Sequence, residues 1–473
     1  MGIVRSWSPE WRDCFLYTAS AVFAALTAVA AGIPLYQEWG RLALGPYAVA
    51  AAFMALVARR ATIARRRVAS DGPTEPSTAA PGGAGDDPLG EAPLPGARRF
   101  RVARIVALLV VLAGATVVPL SLEVVWASEG NAALHVQPEV LVVERAGVRV
   151  DAGKNPYQVV DRAGKILIHQ GSEPVYELYY PYLPGMVLFG FSSGSKVEAR
   201  LTDARIQFLL FTAVVSLIAL SRLRPATDAR FRALQVLTVL PTAALPLATG
   251  GDDMPVVALM LAGMVALQRR RPLLAGLALG AASSLKFTAW PLAFLAAWAA
   301  LDRRSRRAVG RFALGVVLVV GPVVLPVALS NPSAFIDNVI RFPLGLAGAA
   351  SPAASALPGH MIVTAFPGIH RAYVLALVVV GLAVLARQLI VRPPTDAAGV
   401  ARLTGWVMLI AIVLAPATRV GYLLYAVNLF VWSWMLRRAA DPEPADDGGG
   451  GPTRSSERSG RRSPSEPEPL VST

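Results

Sequence analysis

Some twelve long apolar runs, separated by short turns where arginines gather, leave this chain few folds to choose from. Hydrocarbon offers no water to backbone N–H and C=O groups, so a run that enters a membrane must satisfy them within its own segment, as a helix does. About 20 apolar residues carry a helix across a core roughly 30 Å thick, and shorter ones serve where helices are buried in a bundle. The runs lie at 14–35, 42–58, 104–126, 204–221, 233–249, 254–268, 272–285, 287–301, 312–330, 372–391, 402–416 and 420–436. With 54% hydrophobic residues, 16% charged residues and a mean hydropathy of +0.51, the composition excludes an ordinary soluble enzyme. The expected fold is an all-α polytopic membrane protein of about twelve spans.

A net charge of +14 would suit a nucleic-acid partner if the basic residues formed a solvated face. They fall instead in turns: Arg59-Arg60, Arg65 to Arg67, Arg269 to Arg271, and Arg303 to Arg307. Arginine-rich turns mark the cytoplasmic side, which predicts cytoplasmic termini, no nucleic-acid partner and an extracytoplasmic loop over 127–203. That loop holds nine acids against seven bases. Glu10 and Asp13 precede the first apolar run, and no small-residue cleavage site follows it, so it reads as a retained membrane helix. The single cysteine, Cys14, excludes an internal disulfide and a thiolate zinc cluster. The resulting organisation is a two-helix hairpin over 1–60, a Pro/Gly/Ser-rich linker over 61–100, a membrane domain over 101–439 and a similar tail over 440–473.

A loop as long as 127–203 without linker composition is usually functional. The spacing of Leu134, Val136, Val140, Leu141, Val143, Val148 and Val150 predicts an amphipathic surface helix. A turn follows at Gly153-Lys154-Asn155-Pro156-Tyr157, then a short hairpin through Lys165 to Ile168, and the return Tyr179-Tyr180-Pro181-Tyr182-Leu183-Pro184. Met186 to Phe191 is too short to span.

Pro138-Glu139 with its helix, Gly153-Lys154-Asn155-Pro156-Tyr157 and Tyr180-Pro181-Tyr182-Leu183-Pro184 resemble the first outer loop of glycosyltransferase family 87. Further along, Arg271-Pro272, Ala275-Gly276-Leu277 and Lys286 with Pro291 resemble that family's Arg-Pro, Ala-Gly-Leu, Lys-x-x-x-x-Pro segment. The family's acidic residue is usually Asp where Glu139 stands here, fourteen residues before Gly153, and its Tyr-Pro-Pro is Tyr180-Pro181-Tyr182. The resemblance spans about 100–437. It implies a GT-C fold and an actinobacterial envelope enzyme that moves a hexose, mannose above all, from a polyprenyl-phosphate sugar to a lipid or glycan acceptor, with inversion. The rival class is a transporter or lipid flippase, which would show two similar halves with broken helices in matching places. A non-catalytic assembly partner is the third, in which the outer acids would be dispensable.

Inverting transfer needs one carboxylate base and positive charge or oriented donors around the leaving phosphate. Glu139 is the first candidate base, against a role as an acid in a first helical turn. Asp151 is the second, against ordinary loop charge, and Glu123, one turn inside the first core span, the third. Asp252 and Asp253 are candidates to position an acceptor or hold a divalent cation, against capping the helix at Met254-Pro255. Lys286, Arg341, Arg419 and Tyr422 are candidate phosphate ligands, against interfacial anchoring. Asn155, Tyr157 and Tyr180 complete the candidate substrate site.

Overall fold

The computed structural model describes residues 7–70, 97–157, 174–191, 201–223, 227–302, 305–349 and 351–440. The linker composition over 71–96, the short hairpin beyond Tyr157 and the tail from 441 lie outside the described residues. Among the described residues the secondary structure is helical, with one isolated bridge between Ala354 and Thr418. This is a polytopic all-α membrane protein.

Helices α1 (Pro9–Ala30) and α2 (Pro34–Ser70) form the expected hairpin. Helix α2 continues ten residues past the predicted end at 60. The reason is local: Ala and Arg, both strong helix formers, fill its last turns. The first core span begins with α3 (Ala97–Leu112), passes through a wide π turn at Ala113–Val117 and continues as α4 (Val118–Trp126). A π turn frees a carbonyl from the helical ladder, and here Trp39 Nε1 donates to Ala115 O at 2.8 Å. Tyr47 Oη donates to Val239 O at 2.5 Å. At the other end of the hairpin, fully buried Asp13 accepts from Arg104 at 2.5 Å and also pairs with Arg232, while Arg104 reaches Asp228 at 2.7 Å. The hairpin is therefore anchored to the core at both ends.

The glycine in the π turn makes this docking sterically feasible. A Cβ on Gly114 would run into the ring of Pro46 on α2. Gly114→Val is expected to destabilise the protein by about 1–3 kcal/mol, the usual cost of overpacking. The check is a lower melting temperature in detergent together with faster proteolysis of the hairpin; unchanged values would mean the two helices do not need this contact.

The surface helix appears as α5 (Pro138–Asp151), burying Val140, Val142, Val143, Ala146 and Gly147. The short segment after Tyr182 is a 3-10 helix, Pro184–Phe189, buried on nearly every residue. The bundle then runs α6 (Ala204–Ser221), α7 (Thr227–Thr238), α8 (Pro241–Thr249), α9 (Asp253–Gln268), α10 (Pro272–Leu285), α11 (Trp290–Asp302), α12 (Arg306–Ser330), α13 (His370–Val391), α14 (Ala397–Leu414) and α15 (Leu423–Ala440). Every predicted run falls on a helix, but their lengths differ. Seven helices among the described residues are long and apolar enough to cross a membrane alone, and the bent pair α7–α8 makes an eighth. Helices α9 and α10 and the segment Phe287–Ala299 are shorter. Helix α9 is buried on most sides, and the other two each pack one face into the core while Leu274, Phe287 and Phe294 stay exposed, so neighbouring helices replace lipid on at least one side of each and a full crossing length is not needed.

Candidate active site

Two interruptions in the short inner helices create the site. Between α8 and α9 the chain turns at Gly250, whose φ of 98° is left-handed. A side chain there would also strike Val140 of α5 and the stem of Arg205, so glycine permits both the turn and the close approach of α5. The turn delivers Asp252 and Asp253 to the start of α9. Between α10 and the 3-10 turn Phe287–Ala289, Lys286 adopts an extended conformation and points its amine at those acids.

Lys286 Nζ lies 3.1 and 3.2 Å from the two Asp252 oxygens and 2.5 Å from Asp253 Oδ1. Asp252 occupies the N-cap position but makes no capping hydrogen bond. Tyr425 Oη donates to Asp253 Oδ1 at 2.5 Å and itself accepts from Thr288 Oγ1 at 2.7 Å. The rings of Tyr182 and Tyr422 stand 5.3 and 5.6 Å from the Lys286 ammonium, within cation–π range. All three charged groups are buried. Burial pushes the Asp252 carboxyl up, to about 6, against the opposing pull of Lys286. The ammonium sits between the two carboxylates and supplies positive charge there.

Glu139, in the first turn of α5, forms an ion pair with Arg419. A short pairing of 353–355 with Thr418 holds the Arg419 backbone, through Thr418 N–H to Ala353 O at 2.8 Å and Ser355 N–H to Thr418 O at 2.9 Å. The second Glu139 oxygen, Oε2, is buried and has no hydrogen-bond partner among the described residues. Glu139 and Asp252 are near enough for their charges to repel, and both act on the Tyr182 hydroxyl. Tyr36 of α2 approaches the same pair, its hydroxyl accepting from Gln137 Nε2 at 3.0 Å. Gln137 Nε2 also donates to Thr249 Oγ1 at 2.6 Å, tying the start of α5 to the end of α8.

Glu139, Asp252, Asp253, Lys286, Arg419 and Tyr422, spread over nearly 300 residues of sequence, thus share one polar cluster, buried at its aspartates and lysine and partly exposed at Glu139, Arg419 and Tyr422. Three other candidates support it from behind. Asn155 accepts from Tyr157 N–H at 2.8 Å and donates to Ser330 Oγ at 2.8 Å, pinning the loop to the end of α12. Tyr157 Oη donates to Tyr182 O at 2.9 Å, and the Tyr180 ring packs against both neighbours at 5.6 and 5.2 Å. Leu183 N–H donates to Leu285 O at 3.0 Å, which seats Tyr182 over the break at Lys286. Two candidates stand apart. Asp151 is exposed at the opposite end of α5, about 18 Å from Glu139 along the axis. Arg341 is more than half exposed and pairs with Asp337 one turn away at 2.6 Å.

Residues 199–416 match the model of glycosyltransferase family 87. The match covers a little under half of the chain. A membrane glycosyltransferase is the activity class that follows. The matched span contains the second group of motifs read from the sequence, from Arg271-Pro272 to Lys286 and Pro291, together with Asp252 and Asp253. Glu139, the turn at Asn155, and Arg419 with Tyr422 fall outside it. No curated protein matches the chain, and no solved structure does.

Sequence reasoning missed Tyr425, Thr288 and Tyr36 as members of the cluster, and met Tyr182 only as part of a motif. Tyr425 follows Tyr422 by three residues, a spacing that puts both on one helical face, so that signal was present. Tyr36 gave none, because only tertiary packing brings the N-terminal hairpin to α5.

Proposed function

We propose that this protein, which matches glycosyltransferase family 87 over residues 199–416, has a GT-C-type active site and transfers a hexose, mannose above all, from a polyprenyl-phosphate sugar to a lipid or glycan acceptor outside the membrane. The observation that carries the reading is the buried Oε2 of Glu139, without a hydrogen-bond partner among the described residues, beside two cations, the buried Lys286 and the quarter-exposed Arg419. A carboxylate oxygen held by nothing else is free to take the proton of an acceptor hydroxyl. Lys286 and Arg419 are suited to the leaving phosphate, where fixed positive charge acts in a water-poor site. Tyr182 and Tyr422 offer ring faces for the sugar. Glu139 is preferred over Asp151 as base because Asp151 stands alone in solvent at the far end of the helix.

Asp252 keeps its proton up to about 6 because burial opposes its charged form. Its folded-state value lies above the ordinary carboxylate range, so ionising it costs stability that is regained as pH falls from about 6 towards 4. Activity should move the other way: protonation removes one partner of Lys286, and transfer is expected to fall on the acid side with a midpoint near 6. A pH–rate series on wild type and Asp252→Asn checks this, the limb being absent from the variant; a limb of equal midpoint in both would assign it elsewhere.

The activity itself is tested with the full-length protein in vesicles supplied with polyprenyl-phospho-mannose, the glucosyl and arabinofuranosyl analogues, and envelope lipid extract. Sugar transfer from the mannosyl donor is expected. Transfer from another donor alone would correct the sugar, and no transfer from any would overturn the reading.

A further inference from the structure

A second cluster of ligating side chains lies beside the first and is not used by it. His135 closes the short helix Ala132–His135, just before the loop enters α5. Its Nδ1 is 2.7 Å from Glu123 Oε2 on α4 and 3.4 Å from Glu38 Oε2 on α2. One ligand atom from each residue lies within 4.8 Å of the other two, and this is the group of that kind found among the described residues. Glu123 is 99% buried, and its Oε1 has no hydrogen-bond partner among the described residues. A carboxylate that deep with an unsatisfied oxygen is costly to bury unless something further binds it.

We propose that Glu38, Glu123 and His135 bind one divalent transition-metal ion, of which zinc fits best, and that this ion clamps the N-terminal hairpin to the loop leading into Glu139. Four-coordinate zinc holds nitrogen and oxygen at about 2.0–2.2 Å, which sets neighbouring ligand atoms about 3.3 Å apart. The His135–Glu38 separation, 3.4 Å, is already close to that value, and the His135–Glu123 pair, at 2.7 Å, would open by about 0.6 Å. One imidazole with two carboxylates suits zinc or a neighbouring first-row ion, whereas calcium takes six to eight oxygens. The ligands are well supported. Arg205 Nη1 donates to the His135 carbonyl at 2.7 Å and is itself held by Asp203, and the Trp126 ring packs 5.3 Å from the imidazole.

Each ligand comes from a different part of the chain: Glu38 from the hairpin, Glu123 from the first core span and His135 from the loop. His135 is two residues from Gln137, and Glu38 two residues from Tyr36, the pair already joined across the same junction. The inference concerns binding and stands whether or not Glu139 is the catalytic base.

The test uses full-length protein in detergent, stripped with a chelator and titrated with zinc in competition with a chromophoric chelator. Wild type should take up about one zinc per chain, and Glu38→Gln, Glu123→Gln and His135→Ala should each weaken it by at least about tenfold. Cobalt in place of zinc should give visible ligand-field absorption in wild type that His135→Ala loses. Because Glu123→Gln risks misfolding, the partly exposed Glu38 decides: zinc should raise the melting temperature of wild type and leave that of Glu38→Gln unchanged. Absence of stoichiometric zinc from wild type would overturn the proposal. So would equal affinity in the three variants, or loss of the zinc on Asp252→Asn rather than on these.

Discussion

Glu139→Gln is expected to lower sugar transfer by about 10³-fold, within the range seen when a positioned acid or base is removed. The substitution keeps shape and hydrogen-bonding length but cannot accept the acceptor's proton at Oε2, the oxygen that has no other partner. Donor binding should survive, since Lys286 remains in place and Arg419 is a quarter exposed, so water can take over part of the lost ion pair. The loss should therefore fall on kcat, with KM changed only a few-fold. Glu139→Asp makes a sharper probe. The resembled family usually carries Asp at this position, but on this backbone a carboxyl one methylene shorter draws away from both Arg419 and the reacting hydroxyl. A misplacement of about 1 Å can cost about 10²-fold, so Asp should fall between wild type and Gln. If Gln retains more than a tenth of the wild-type rate, Glu139 is not the base. If Asp151→Asn then removes the activity, the choice between the two acids was wrong.

The fold was largely legible in the residues, and the reason is the solvent. Hydrocarbon forces each spanning segment to satisfy its own backbone, so apolar runs translate directly into helices, and all twelve did. Lengths were less legible: nothing in Asp253–Gln268 or Pro272–Leu285 states that their neighbours are protein rather than lipid. The site was legible by residue type and not by partnership. Lys286 stood out because it interrupts an apolar run, where ionisable groups are rare, Glu139 because it stands at the resembled family's acidic position, and Arg419 because it is a cation in an outer turn. That Lys286 meets Asp252 and Asp253, or that Glu139 meets Arg419, depends on the left-handed turn at Gly250 and the extended residue at Lys286, which only the packed chain reveals. Asn155 and Tyr157 were conspicuous as a motif, yet their side chains bond to the protein itself and fix the loop. Motif visibility and direct contact with substrate are separate properties.

Lys286→Met should have the largest effect on the folded state. Wild type balances one buried ammonium against two buried carboxylates, with Tyr425 supplying a further hydrogen bond to Asp253. Removing the lysine leaves two acids facing each other in a dry site, and breaking a buried ion pair from one side costs about 3–5 kcal/mol. A marked fall in melting temperature in detergent is the expected reading. Transfer should fall by about 10²-fold or more, because the leaving phosphate loses a fixed charge. Those two effects are separable. Adding Asp252→Asn and Asp253→Asn to Lys286→Met removes the stranded charges along with their partner, so most of the stability should return while activity stays low. The non-additivity between the single, double and triple variants measures the coupling of the cluster. If Lys286→Met melts like wild type, the three groups are not a balanced buried unit. If the triple variant regains transfer along with stability, the lysine acts only on the fold, and the phosphate must be met by Arg419 without it.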